Sequence, residues 1–556
     1  MIGVQPSMRV ADFFCGAGGF SEGFRQAGFN VCFAVDKWLP AITTYRANKP
    51  QCNAVLDDVI RISKLSDEEF NSLVPDTEVI IGSPPCVAFS NSNKSGRGDK
   101  TLGIQLLKAY LRIVARKKFK ANSILRYWAL ENVPNIEKYL QAQYSAADLD
   151  LEGDFYLKVL NSSAGIYNAK YYGAPTNRKR FLCGEFPLPQ KTNDDTHIVV
   201  LRTVLDALGA PLDLGKETIE DCNYPDFRLP RDEVSDHQYI YGLQPFEWKI
   251  AKRLKEDKGY MGKMSFPENL DNPARTVMAN MSSSSRESMI LGTNDGGYRL
   301  PTVREAASMM SFPIDYKFYG QSKGIKHTLV GNAVPPKMSY AIAKAIAIDA
   351  NIPVPNGYIP IQHDGEVPFI NLNYSVFAPR VERPKREVSK FKYHIPYMIL
   401  NSYRVELTNY KSNFDKKDFL WHAEIHFSQG KDKAKVYKPT ITENQIPQKY
   451  QAFINQFLND MRASLHSFNS FQQIFCMTEI MRKQQELVGP YELLEQVKNF
   501  IENLVPADEL AFVVELPGEL PNIPIAILIG YHIINQITNE MGDISNGCCD
   551  KKTEID

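Results

Sequence analysis

From Met8 to about Phe186 the chain alternates short apolar runs with amphipathic stretches. Five runs have strand character: MRVADFF (8–14), NVCFAV (30–35), EVIIG (78–82), ILRYWAL (124–130) and RFLCGEF (180–186). Between them, FSEGFRQAG (20–28) and IQLLKAYLRIVARKK (104–118) repeat apolar positions at helical spacing. Strands alternating with helices predict an α/β fold, a doubly wound and mostly parallel sheet whose ligands sit beyond the carboxyl ends of the strands.

Residues 187–270 break that rhythm with many Asp, Pro and aromatic residues and no sustained period. Helical spacing resumes at RLPTVREAASMMSF (299–312) and PPKMSYAIAKAIAIDA (335–350), so the piece between reads as an inserted module. The pattern divides the chain into a first domain (1–186), the module (187–270), a return to the first domain (271–350), a linker rich in Pro and Gly (351–392), a C-terminal domain of strands and helices (393–541) and a polar tail (542–556). Within the linker, RVERPKREVSKFK (380–392) is basic, and a solvated run is the expectation there. IPIAILIGYHII (523–534) is too short to span a bilayer and is expected as a core strand or helix.

Composition changes this picture little. At 556 residues the chain is too long for one core, and 44% hydrophobic with 23% charged residues is ordinary for a globular protein. Sixty-four basic residues balance 64 acidic ones, so composition gives no sign of a nucleic-acid partner, although a local basic face remains compatible with zero net charge. Nine cysteines without a C-x-x-C pair or zinc-ligand spacing predict a reducing, cytoplasmic setting and no metal.

The candidate chemistry collects at predicted strand ends. In DFFCGAGGFSEGF (12–24), glycines 16, 18 and 19 allow a tight turn and close approach of backbone to a ligand, but Ser21 stands where the dinucleotide fingerprint wants a further glycine. Asp36 follows Gly16 by 20 residues and could accept two ribose hydroxyls; Asp58 is placed to receive an adenine amino group. Each could instead be a helix cap, and together on consecutive strand ends they favour a nucleoside. Cys86 follows the strand end at 78–82 in SPPC, where a thiolate has access to a bound ring, and Glu131 ends the strand at 124–130, where a carboxyl could donate to a ring nitrogen of a base.

In order, DFFCGAGGFS, SPPCVAFS, ENVPN, NRKRF, RLPTVREAASMMSFP and GNAVPP resemble the motif series of the DNA cytosine-5 methyltransferases over about residues 8–350, with that family's target-recognition region falling at 187–270. The resemblance implies an S-adenosylmethionine-dependent, Rossmann-like methyltransferase. Cys86 would add to C6 of a cytosine swung out of double-stranded DNA, Glu131 would hold the N3 and amino edge, and Arg180 with Arg178 alongside would support both. Phe14, Gly16, Gly18, Gly19, Asp36, Asp58, Leu106, Asn332 and Val334 would hold S-adenosylmethionine. Ser90 and the loop residues Lys94, Arg97 and Lys100 would meet DNA phosphates. Val87, Thr176 and Lys37 depart from the residues usual in the family, although Trp38 lies one step from Lys37. The implied biology is a microbial restriction-modification or defence methylase, acting on nucleoid DNA beside a cognate restriction or defence protein.

Two alternatives stay open on sequence grounds, a tRNA cytosine-5 methyltransferase and a catalytically idle DNA-binding scaffold subunit. The run CVAFS and the sizeable module favour DNA, and intact Cys86, Glu131 and Arg180 favour catalysis. HAEIHF (422–427) does not complete a nuclease metal site, so a structural, DNA-embracing or partner-binding role is expected for the C-terminal domain.

Overall fold

The computed structural model describes residues 7–85, 100–213, 215–256, 263–373, 377–427, 435–514 and 522–547. The chain forms two compact units, Met1–Leu243 with Pro267–Ala378, and Gln244–Phe266 with Pro379–Asp556.

The first unit is built on a seven-stranded sheet of β1 (Arg9–Phe13), β2 (Asn30–Asp36), β3 (Asn53–Leu56), β4 (Val79–Gly82), β5 (Tyr127–Asn132), β6 (Gly165–Asn168) and β7 (Lys179–Glu185). Its order is β3-β2-β1-β4-β5-β7-β6, parallel except for β7, which runs antiparallel to both neighbours. The fold is therefore the predicted α/β sheet. The strand order reverses between β1 and β4, and in such sheets a crevice opens at the carboxyl ends beside that switch point. β3 and β6 were not legible as strands: each is four residues long, without a buried alternating pattern, and owes its form to pairing at a sheet edge.

Helices α1 (Gly19–Gln26), α2 (Leu39–Asn48) and α3 (Lys100–Lys118) follow β1, β2 and β4. Later in the chain come α4 (Val303–Met309), α5 (Lys323–Asn332) and α6 (Pro336–Asp349), the last packed on α1. The helix expected over 299–312 is confined to α4, because Thr302 and Glu305 form a capping box at its start and Ser311, at φ 64°, lies outside helical geometry just after it. Leu300 ends a short strand instead.

The stretch expected as a linker, 351–392, is divided between the units. Its first part is a strap on the first unit: Gln26 exchanges hydrogen bonds with the Ile359 backbone at 2.9 Å each way, Arg25 donates to the Ile359 carbonyl at 2.8 Å, and Ile361 and Leu372 are buried. Backbone satisfaction by side chains of α1 explains why a Pro- and Gly-rich segment lies ordered. Likewise, the middle of the chain is shared, since 244–266 belongs to the second unit.

In the second unit, β8 (Lys392–His394), β9 (Tyr403–Thr408), β10 (His422–Phe427) and β11 (Lys435–Tyr437) make an antiparallel sheet in chain order. Val405, Leu407, Ala423 and Ile425 point into a core filled by the helix Ile525–Gly547. The apolar run 523–534 thus resolves mainly as helix, which runs on past the boundary expected for the tail. Among the described residues, no helix is long and apolar enough to cross a membrane.

Packing that positions the site is close at Gly19, where an added Cβ would meet the Val334 carbonyl oxygen at 2.2 Å. Gly19→Ala should cost about 2 kcal/mol through overpacking against rigid backbone, measured as a lowered urea midpoint with unchanged slope.

Candidate active site

The register of the sheet sets the site. Phe13 pairs with Val35 on one side and with Gly82 on the other, and Gly82 pairs with Leu130, so Phe14, Asp36, Ser83 and Glu131 emerge side by side at the carboxyl rim. β1 ends in a backbone that turns sharply: Phe14, Gly16 and Gly18 all have positive φ (56°, 53° and 83°), the last as the N-cap of α1. Gly18 must be glycine on a second count, since a Cβ there would lie 2.8 Å from the Tyr316 hydroxyl. At Gly16, by contrast, an added Cβ would meet nothing within 4 Å. Its amide donates to Asp36 Oδ2 at 3.0 Å, while Trp38 donates to Oδ1 at 2.8 Å, which fixes the carboxylate half-buried beside that open face. Burial raises the Asp36 pKa in spite of these donors.

Beneath the loop lies a buried polar network. Glu22, with no exposure, is bound by Arg25 at 2.7 Å and Lys49 at 3.2 Å. Burial would raise its pKa, but the two cations outweigh it and hold the carboxyl at about 2. Lys49 also donates to the Tyr316 hydroxyl at 3.1 Å, and Tyr316 in turn donates to the Ala17 carbonyl. Asp12 accepts from Ser21, whose hydroxyl lies 2.5 Å from that of Tyr45. Desolvation lifts Asp12 to about 7.

Glu131 is 4% exposed and anchored at both oxygens: Ser83 donates to Oε2 at 2.5 Å and Arg180 Nε lies 2.9 Å from Oε1. The next residue, Asn132, donates to the Pro84 carbonyl at 2.9 Å, tying the end of β5 to the segment that leads into Cys86. Two carboxylate oxygens so held fix the group's place on the rim, and its burial strengthens any hydrogen bond it makes there.

The other expected residues separate into groups. Arg178 is engaged by the returning segment. Fully buried, it donates to the carbonyls of Val277 (3.2 Å), Gly331 (2.9 Å) and Ala333 (3.0 Å), and so fastens the returning segment to β7 as a positioning residue. Val334 is buried against Gly19, whereas Asn332 is exposed at the end of α5. Leu106 is buried on α3. Asp58 takes the capping role, accepting from Ile60 N at 2.7 Å; it lies two residues past Leu56, the β3 partner of Asp36. Lys100 is exposed at the start of α3. Cys86, Ser90, Lys94 and Arg97 lie outside the described residues. Sequence reasoning missed Ser83, Tyr45 and Lys49 and the bond of Ser21 to Asp12; of the three residues only Ser83 had a signal, a hydroxyl inside the quoted SPPC, and its partner is 48 residues away.

Known proteins resemble this chain over its first two thirds. A model of the family described as C-5 cytosine-specific DNA methylase matches residues 8–347. The chain is 29% identical over 356 residues to the type II methyltransferase M.MthTI of Methanothermobacter thermautotrophicus, covering 62% of this chain and 98% of the relative. It is 27% identical over 350 residues to the type II methyltransferase M.NgoPII of Neisseria gonorrhoeae, covering 61% and 95%. Among solved structures, the Dnmt2 methyltransferase of S. pombe aligns with a TM-score of 0.41 at 16% identity over 62% of this chain and all of that one.

Two outcomes are expected here. Arg180→Ala leaves the Glu131 carboxylate buried without its counter-charge and should cost about 3 kcal/mol, while adding Glu131→Gln to that variant should recover most of the loss, as read from urea midpoints. Because Asp12 is raised to about 7 from 3.8, its contribution to stability is full below about pH 4 and is lost as pH climbs through 7; the fall in Tm between pH 5 and pH 8 should therefore be smaller in Asp12→Asn than in the wild type.

Proposed function

The chain belongs to the C-5 cytosine-specific DNA methylases, and on that premise we propose that it methylates a flipped cytosine in double-stranded DNA through a covalent adduct with Cys86. It is a DNA (cytosine-5) methyltransferase. The observation that carries the mechanism is Glu131, clamped by Ser83 and Arg180 on the rim shared with the glycine loop, one strand from the segment that delivers Cys86.

The Cys86 thiolate adds to C6 while Glu131, entering the step protonated, gives that proton to N3 and accepts from the amino group, so that electron density gathers at C5. Arg180 holds Glu131 in place and offsets its charge. S-adenosylmethionine supplies the electrophilic methyl that C5 accepts. Loss of the C5 proton then re-forms the ring double bond and expels the thiol. Extruding the base costs a few kcal/mol, and Ser90, Lys94, Arg97 and Lys100 supply the DNA-phosphate contacts that offset it.

This chain's rim fits S-adenosylmethionine. The open face at Gly16 lets the ligand lie against backbone, and Asp36 offers its remaining lone pairs to ribose hydroxyls. Phe14 and Leu106 would flank the ring, Asp58 would take the adenine amino group while capping its helix, and Gly18, Gly19, Asn332 and Val334 would close the methionine end. Residues 187–270 supply target recognition in this reading. The relatives bearing the name type II methyltransferase support a place in a microbial restriction-modification or defence system, in the cytoplasm and on nucleoid DNA, alongside a cognate restriction or defence protein.

The test is transfer of labelled methyl from S-adenosylmethionine to unmodified genomic DNA, followed by bisulfite sequencing. Label at cytosine C5 in one sequence context is expected with the wild type, and a loss of at least about 1,000-fold with Cys86→Ser, the scale of a lost nucleophile. Label that survives in Cys86→Ser would overturn the covalent mechanism.

A further inference from the structure

The second unit carries a polar cluster that cytosine methylation does not use. The register of β9 and β10 sets Glu406 directly opposite Glu424, and strand alternation brings Arg404, His422 and His426 to the same face, away from the apolar core. Lys392 on β8 joins them across the sheet, and Lys438 reaches in from just past β11. Like charges directly opposite one another destabilise a strand pair, and here both are buried, Glu406 at 5% and Glu424 at 9% exposure, beside His426 at 2%.

The four carboxylate oxygens divide by direction. The outer pair is satisfied: Arg404 Nε donates to Glu406 Oε1 at 2.6 Å, and Lys438 Nζ and His422 Nε2 lie 2.8 and 3.0 Å from Glu424 Oε1. The inner pair converges on one atom, with His426 Nε2 2.9 Å from Glu424 Oε2 and 3.1 Å from Glu406 Oε2. One ring nitrogen carries at most one proton and cannot serve both. Glu406 Oε2 is left with Lys392 Nζ as its ion-pair partner, 3.0 Å away.

We propose that Glu406 Oε2, Glu424 Oε2 and His426 Nε2 form a binding site for a first-row divalent cation such as Mn²⁺ or Zn²⁺. The three atoms lie within 4.8 Å of one another. Separations near 3 Å match the edge of an octahedron with metal–ligand bonds of about 2.1 Å. A mixed carboxylate and imidazole set suits Mn²⁺ or Zn²⁺ better than Ca²⁺ or Mg²⁺. Arg404, His422 and Lys438 on the outer oxygens orient the carboxylates, the role outer partners play at metal sites. Lys392 is the competitor: its side chain is 36% exposed and swings into solvent when the cation enters.

The full-length protein, stripped with EDTA, is titrated calorimetrically with MnCl₂ and, separately, ZnCl₂. One equivalent per chain is expected, weakened by at least about tenfold in Glu424→Gln and in His426→Gln, and tightened in Lys392→Ala, with methyl transfer unchanged by EDTA. The lysine variant separates this site from a closed ion-pair network and is independent of whether the ligand variants fold. Absence of saturable binding in both wild type and Lys392→Ala, or binding that survives in folded Glu424→Gln and His426→Gln, would overturn the proposal.

Discussion

The first unit depends on the burial of Glu22. A carboxylate with no exposure costs several kcal/mol unless it is paired, and Glu22 finds its partners on two sides: Arg25 one turn along α1 and Lys49 just past α2. Lys49 is itself buried, so it needs more than one acceptor, and Tyr316 supplies the second from a segment 267 residues away. That tyrosine also donates to the Ala17 carbonyl within the glycine loop. The loop that meets the ligand is thereby braced from below by charge, and the distant segment cannot drift without taking an acceptor from a buried ammonium.

The same logic holds the opposite side of the rim. Arg178 gives its guanidinium to three backbone carbonyls on the returning chain, and Gly19 and Gly331 admit backbone so close that no Cβ fits. Arg180, two residues on, turns to Glu131 instead. One arginine builds the wall and the other charges it. The neighbouring motif RLPTVREAASMMSFP is structural in the same sense: Arg299 and Glu305 form a buried pair at 2.6 Å, and Arg304 donates to the Ser235, Pro313 and Tyr316 carbonyls.

The two units also differ in how they treat charge. In the first, the buried carboxylates Glu22 and Asp236 are closed off by cations. In the second, Glu406 and Glu424 share one imidazole between their inner oxygens, with Lys392, Arg404 and Lys438 set around the pair.

By itself the sequence determined the sheet's five main strands, the flanking helices, the glycine loop, Asp36 and Glu131, because these follow from local periodicity and from motifs a few residues long. It did not determine β3 and β6, which form by edge pairing, nor the strap 359–372, whose hydrogen bonds come from α1. The separation of Arg178 from Arg180, the clamp of Ser83 on Glu131 across 48 residues, and the meeting of Glu406 with His426 were decided only in the tertiary structure. The physical reason is common to all of them: a hydrogen bond or ion pair is set by distance in space, and sheet register and packing fix that distance between residues whose order in the chain does not.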